Sequence, residues 1–237
     1  MSEHSPGFLT VKSVSMGIII VQPETAPAEI IEQASLVVFP FRMNEKNKLA
    51  AIEWAALSQT PIFCHSTDIP ALVAEGFGAY RFHKLDGFRE VDFQGGAIDF
   101  FPARRPKSRN LKGFVLEIFE WMGLIKAPSF HFAVRPKNEQ PILFLGGGEF
   151  EATEWNVISK GLYEKVVGLN HSKTQPAWDL VSKNLGIKIE SAPFDGTLVT
   201  KKTTQTVVAR GIADPEMPEV ISPKESELWQ GSKAGAF

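Results

Sequence analysis

The sequence predicts an α/β fold in which a parallel sheet covered by helices passes into an antiparallel region. Three observations carry the prediction. Short apolar runs alternate with helical segments as far as Gly76, Gly95-Gly96 joins two segments of alternating polarity, and the apolar run at 141–145 empties into Gly146-Gly147-Gly148. The first pattern favours parallel strands joined by helical crossovers, and the second favours a hairpin.

Taken in order, residues 8–14 and 16–21 read as two strands meeting near Gly17, and Pro23 ends the second because proline donates no N–H. A helical turn over 27–33 delivers the chain to Leu36-Val37-Val38-Phe39, a β-branched and aromatic run of the kind that is buried on both faces of a sheet. Pro40 ends that strand. A helix opens at Asn44, with Asn47 as a second cap, and Leu49, Ile52 and Ala56 are expected to share its buried face. Residues 61–64 form another strand, and 67–75 a helix with Asp68 near its start and Gly76 just past its end.

Beyond Gly76 the segment 80–85 is short and mixed, and 88–93 pairs with 97–101 across the glycine turn. Residues 102–112 gather Arg104, Arg105, Lys107, Arg109 and Lys112. Segments 113–119 and 129–134 read as a further strand pair, followed by the buried strand 141–145. A helix at 151–163, a strand at 166–170, a helix at 175–185 ended by Gly186, and strands at 197–201 and 206–210 complete the pattern. A single domain is expected over 1–212. The remainder, 213–237, reads as an extended C-terminal tail, with Pro215, Pro218 and Pro223 and little apolar content beyond Trp229.

At 237 residues and 43% hydrophobic content the chain can bury a substantial core without covalent staples. A formal net charge of −2 gives no general attraction to nucleic acid or anionic membrane, so a nucleic-acid role is disfavoured and no membrane partner is expected. The single cysteine, Cys64, excludes an intrachain disulfide and a multi-cysteine metal site, and its place in an apolar strand reads as an inert, buried thiol. No secretory signal pattern opens the sequence and no apolar run reaches membrane-spanning length, so a cytoplasmic location is expected. His65, His83, His131 and His171 are scattered, without the short spacings of a metal motif. There is no nucleophile elbow for a serine hydrolase, and the glycine triplet lacks the Lys-Ser/Thr of a phosphate loop.

Four segments carry a resemblance: ASLVVFPFRMNEKNK at 34–48, TPIFCHSTDIPALVAEGFG at 60–78, QGGAIDFFPARR at 94–105 and PILFLGGGE at 141–149. In order and punctuation, residues 17–170 resemble the metallo-β-lactamase-fold superfamily, in particular its lactonase-like and phosphodiesterase-like hydrolases. The resemblance implies a four-layer αββα sandwich. It also implies where metal ligands would stand. The histidines and aspartate of the family's H-x-H-x-D-H loop align with Phe41, Met43, Glu45 and Lys46, its next histidine with Arg105, and its bridging aspartate with Gly147, or with Glu149 after a short slip. Phenylalanine and methionine offer a hard cation nothing, and lysine and arginine repel one. The resemblance therefore implies a degenerate, metal-independent site without a cofactor.

Two readings of these replacements stand side by side. Phe41 and Met43 would fill the vacated volume while Lys46 and Arg105 neutralise Glu45 or Glu149. Alternatively, Arg42, Lys46, Arg104 and Arg105 would form an anion-binding cleft. The expected function is a non-catalytic pseudoenzyme that binds a small anionic ligand or a protein partner. The alternative is a divergent hydrolase that acts on a phosphoester or lactone through a basic pocket or relocated metal ligands. The apolar stretch 119–130, with Trp121, Met122, Leu124 and Ile125, is a candidate contact for homo-oligomerisation.

Overall fold

The computed structural model describes residues 8–26, 28–104, 115–116, 118–119, 129–150, 152–169, 175–192 and 196–202. The chain divides into two compact units, Met1–Thr203 and Thr204–Phe237, and all described residues belong to the first. The domain boundary expected at 212, the tail, the strand expected at 206–210, and most of the apolar stretch 119–130 lie outside the described residues.

The first sheet is built from β1 (Leu9–Ser13), β2 (Gly17–Val21), β3 (Ala34–Val38), β4 (Ile62–His65), β5 (Phe82–Leu85) and β12 (Thr197–Val199) in the order β12-β1-β2-β3-β4-β5. From β2 to β5 every pairing is parallel, as the strand–helix alternation predicts, while β1 and β2 form a hairpin. The second sheet is ordered β11-β10-β9-β8-β7-β6. Its strands β6 (Arg89–Phe93), β7 (Gly96–Ala103), β8 (Ser129–Pro136) and β9 (Ile142–Leu145) are antiparallel. The last two, β10 (Lys165–Gly168) and β11 (Ile189–Ser191), continue the sheet in parallel.

Three apolar clusters show how these sheets are layered. Alternation along each strand sends successive side chains to opposite faces. Val38 and Phe63 thus join Phe100, Phe132 and Phe144 in the cluster between the sheets, while Val37, Phe39 and Cys64 join Trp54 and Leu72 under helices on the outer face of the first sheet. Phe101, Leu143 and Leu145 meet Ile158 and Val181 on the outer face of the second. The arrangement is helices, sheet, sheet, helices. Phenylalanine is prominent in the middle layer, where Phe132 stacks on Phe144 at 4.6 Å and Phe63 on Phe100 at 5.4 Å, so these rings serve as filler between the sheets.

On the first sheet lie α1 (Ala28–Ile31), α2 (Glu45–Leu57) and α3 (Ile69–Ala74), and on the second α4 (Ala152–Ile158) and α5 (Gln175–Leu185). Helix α2 starts as its residues dictate. Asn44 accepts the Asn47 amide at 2.9 Å, and Asn47 returns a side-chain acceptor to Asn44 N–H at 3.4 Å. Asn47 also donates to Pro23 O at 2.8 Å and accepts from Gln22 at 2.9 Å, which ties the helix start to the end of β2.

Two expectations fail. The buried face of α2 is Asn47, Ala50, Ala51, Trp54 and Ala55, while Leu49 and Ala56 are exposed and Ile52 is half-buried. Small alanines let the helix approach the sheet closely, and Trp54 fixes the rotation. The strand expected at 113–119 is also overturned, because Val115, Leu116, Ile118 and Phe119 are helical. Val115, Ile118 and Phe119 fit i, i+3, i+4 spacing as well as they fit a strand. Strand β11 is absent from the sequence-based pattern because its one apolar residue, Ile189, sits between Lys188 and Glu190.

Candidate functional site

The C-terminal ends of β3, β4, β7 and β9 and the start of β8 meet at one rim of the sandwich. Backbone closes this rim. Phe130 N–H donates to Pro40 O at 2.7 Å, joining the second sheet to the end of β3, and Phe41 bridges Ser129. Arg104 and Glu149 exchange two backbone hydrogen bonds, at 2.9 and 2.8 Å. The glycine triplet makes this approach feasible. A Cβ on Gly146 would stand 2.3 Å from Phe130 O, and one on Gly148, whose φ is +136°, would stand 2.4 Å from Arg104 O. Gly147 O accepts the Ser129 hydroxyl.

The loop between β3 and α2 sorts its side chains. Phe41 is half-buried against the middle cluster. Met43 is 8% exposed and packs in the cluster under α2, and its N–H donates to Asp68 Oδ2 at 3.0 Å. Arg42 is exposed. Glu45 and Lys46 are exposed as well, Glu45 paired with Lys48 at 2.8 Å and Lys46 with Glu24 at 3.2 Å. The expected neutralisation of Glu45 by Lys46 in a shared pocket is therefore overturned, because the first turn of α2 carries both side chains to the outer surface. Of the four cations expected to line an anion cleft, Lys46 is paired with Glu24, Arg42 is exposed, Arg104 lies in the rim bridge, and Arg105 is outside the described residues. The structure brings Phe41, Arg104, Gly147 and Glu149 to the rim, and it pairs Glu45 and Lys46 with Lys48 and Glu24 instead.

Two buried polar groups adjoin the rim. His65, 1% exposed, ends β4; its Nδ1 accepts the Thr67 amide at 3.2 Å and lies 2.7 Å from Thr67 Oγ1. Its ring meets Phe130 edge-on at 5.8 Å. Asp68, 5% exposed, makes no side-chain cap on α3 and spends its carboxylate on Met43 N–H. Sequence reading placed Asp68 only at a helix start and gave Ser129 no role. Neither residue carries a local signal for its actual partner, which is remote in sequence.

His131 is wholly buried on β8, 4.1 Å from the Phe150 ring, and neither ring nitrogen has a hydrogen-bond partner of good geometry. Burial pushes its pKa down to about 3, with the Glu149 backbone opposing weakly, so it stands neutral. Burial, and then the charge of Asp68, push the Cys64 thiol up to about 12, which matches the inert thiol expected from its strand. His171 is outside the described residues.

Metal chemistry needs three or more donors of imidazole, carboxylate or thiolate type converging on one point. At the aligned positions the chain presents Phe41, Met43, Glu45, Lys46 and Gly147. Among the described residues no group of three or more such donors could hold a metal ion. Among the described residues, the donor set at the rim does not fit the metal centre that the resemblance implies.

Helices outside two face-to-face mixed sheets, with the strand ends converging on one rim, define a four-layer αββα sandwich. The fold is that of the metallo-β-lactamases. Among solved structures the chain is similar to an isothiocyanate hydrolase from Delia radicum gut bacteria, with TM-score 0.51 and 11% identity over 78% of this chain and 83% of that one. It is also similar to a protein from Veillonella parvula DSM 2008 described as "a possible metal-dependent hydrolase", with TM-score 0.52 and 9% identity over 79% and 85%. A third is the metallo-β-lactamase-fold protein YhfI of Bacillus subtilis, at TM-score 0.48 and 9% identity over 79% and 89%. No family model and no curated protein matches the chain. Likeness at this identity is likeness of fold.

Proposed function

We propose that the chain is a non-catalytic binding or interaction protein on a metallo-β-lactamase-like hydrolase scaffold that has lost its metal site. One observation carries the reading. In the loop that the fold reserves for metal ligands, Met43 is buried as core, and Glu45 and Lys46 are engaged at the outer surface by Lys48 and Glu24. The backbone bridges from Pro40 to Phe130 and from Arg104 to Glu149 support it, because they occupy the rim where a substrate would have to enter. The binding role is then carried by a small anionic ligand or a protein partner, in the cytoplasm.

The test is elemental mass spectrometry of protein purified without chelator, with thermal melting during zinc and manganese titration and hydrolysis assays on a phosphodiester and a lactone. The expected result is substoichiometric metal, an unmoved melting temperature and rates equal to buffer. A near-stoichiometric metal that stabilises the fold, or turnover abolished by chelator, would overturn the proposal in favour of a divergent hydrolase with relocated ligands.

A further inference from the structure

The far end of the second sheet, where β9 and β10 begin, holds a cavity of about 400 Å³ that the rim does not share. Leu162, Tyr163, Leu185 and Ile187 give it apolar walls, and Leu162 is 89% exposed at its lip. The one carboxylate lining it belongs to Glu164. This side chain is 10% exposed, and neither oxygen has a hydrogen-bond partner. Its backbone is fixed, since Glu164 N–H donates to Pro141 O at 2.9 Å. A carboxylate removed from water without donors is costly to keep, and among the described residues it has only one compensation. Lys201 Nζ lies 3.0 Å from Oε1, off the direction of a hydrogen bond, on a side chain that is 73% exposed. The Lys201 backbone is held in turn by Gln140 N–H, 3.0 Å from its carbonyl. The Lys201 stem is long, flexible and largely in water, so its ammonium can swing away once a second cation is there to take its place on the carboxylate.

We propose that this cavity binds a small organic cation, a primary ammonium on a short apolar chain, whose ammonium replaces that of Lys201 on Glu164. The three N–H donors of a free ammonium satisfy both carboxylate oxygens, which the tethered lysine does not. The chain lies along Leu185 and Ile187 and covers Leu162. The volume suits a small molecule, and apolar walls around a single charged group are the usual composition of such sites.

The test is isothermal titration calorimetry of the whole chain with n-hexylammonium chloride and with 1-hexanol as its uncharged counterpart. The expected result is saturable one-to-one binding of the ammonium, with hexanol about tenfold weaker or worse. Glu164→Gln should weaken the ammonium about tenfold, and Lys201→Met, which removes the competitor, should tighten it severalfold. Leu162→Ser, a change at an exposed position that leaves the fold intact, should weaken it as well. Circular dichroism and melting of each variant separate loss of binding from loss of fold. Absence of saturable binding to both the wild type and Lys201→Met would overturn the proposal, as would equal affinity for hexanol or indifference to Glu164→Gln in a folded variant. Tighter binding of the tripeptide acetyl-Ala-Lys-Ala-amide than of hexylammonium would overturn the assignment to a free amine.

Discussion

Glu139 follows β8 and lies 7% exposed, where its carboxylate gathers two separate parts of the chain. It accepts Ser13 Oγ–H at 2.9 Å, Val14 N–H at 3.1 Å, Ser15 N–H at 2.8 Å and Ser15 Oγ–H at 2.7 Å, all from the β1–β2 turn, and the Thr200 hydroxyl beyond β12. Burial alone would push this carboxyl up. The hydrogen bonds from Thr200, Ser15 and Ser13 outweigh it and bring the pKa from 4.5 down to about 2. At ~1.4 kcal/mol per pH unit, that depression corresponds to about 3 kcal/mol of folding stability. The folded-state pKa lies below the unfolded one, so the contribution is fully present above about pH 4.5 and is lost as pH falls through about 2. Glu139→Gln keeps the shape, removes the charge, and turns an amide N–H toward a ring of donors. Urea denaturation of wild type and variant should give a difference of about 3 kcal/mol at pH 7 that shrinks steadily below pH 4.5. A difference below about 0.5 kcal/mol at pH 7, or one that stays constant down to pH 2.5, would refute the reasoning.

Three further outcomes are expected. Asp68→Ala strips the acceptor from the buried Met43 N–H and should lower stability by about 1–3 kcal/mol in the same denaturation assay; an unchanged midpoint would contradict the tie between the β3 loop and α3. Gly95→Ala places a Cβ 2.0 Å from Ser15 O at a φ of +101° and should cost about 2–4 kcal/mol, so a variant that unfolds with the wild type would show that the hairpin can shift aside freely. Cys64 should react with an aromatic disulfide reagent at pH 8 no faster than the chain unfolds, and complete labelling of the native protein within minutes would contradict its burial.

The layers were legible in the sequence because their signals are local. Alternation in β3 sorts Val37 and Phe39 from Val38, Asn44 with Asn47 announces the start of α2, and Gly95-Gly96 announces the β6–β7 hairpin. What escaped depends on partners far along the chain. Arg81, buried behind β5, donates to Ala55 O at 2.9 Å and closes the end of α2, and nothing around residue 81 hints at it. The Glu139 clamp spans 126 positions to Ser13 and reads locally as an ordinary charged turn. At the rim the sequence named the residues at the aligned positions. It could not show their directions, because a rotation of one turn of α2 decides whether Lys46 faces a pocket or Glu24.

The pairing of β1 with β12 matches Thr10 to Thr197 and Lys12 to Val199, the longest-range ladder among the described residues. Strand β1 thus keeps one edge unpaired until the chain has been made as far as residue 199. During synthesis the hairpin of β1 and β2 can form at once, yet its outer edge waits on the last described strand, as does the Thr200 bond to Glu139. Closing so long a loop is slow, and an uncovered edge is a template for pairing with other chains. The docking of β12 on β1 is therefore the step at which folding and aggregation compete, and truncation before residue 197 should raise the tendency of the chain to associate through β1, read by light scattering.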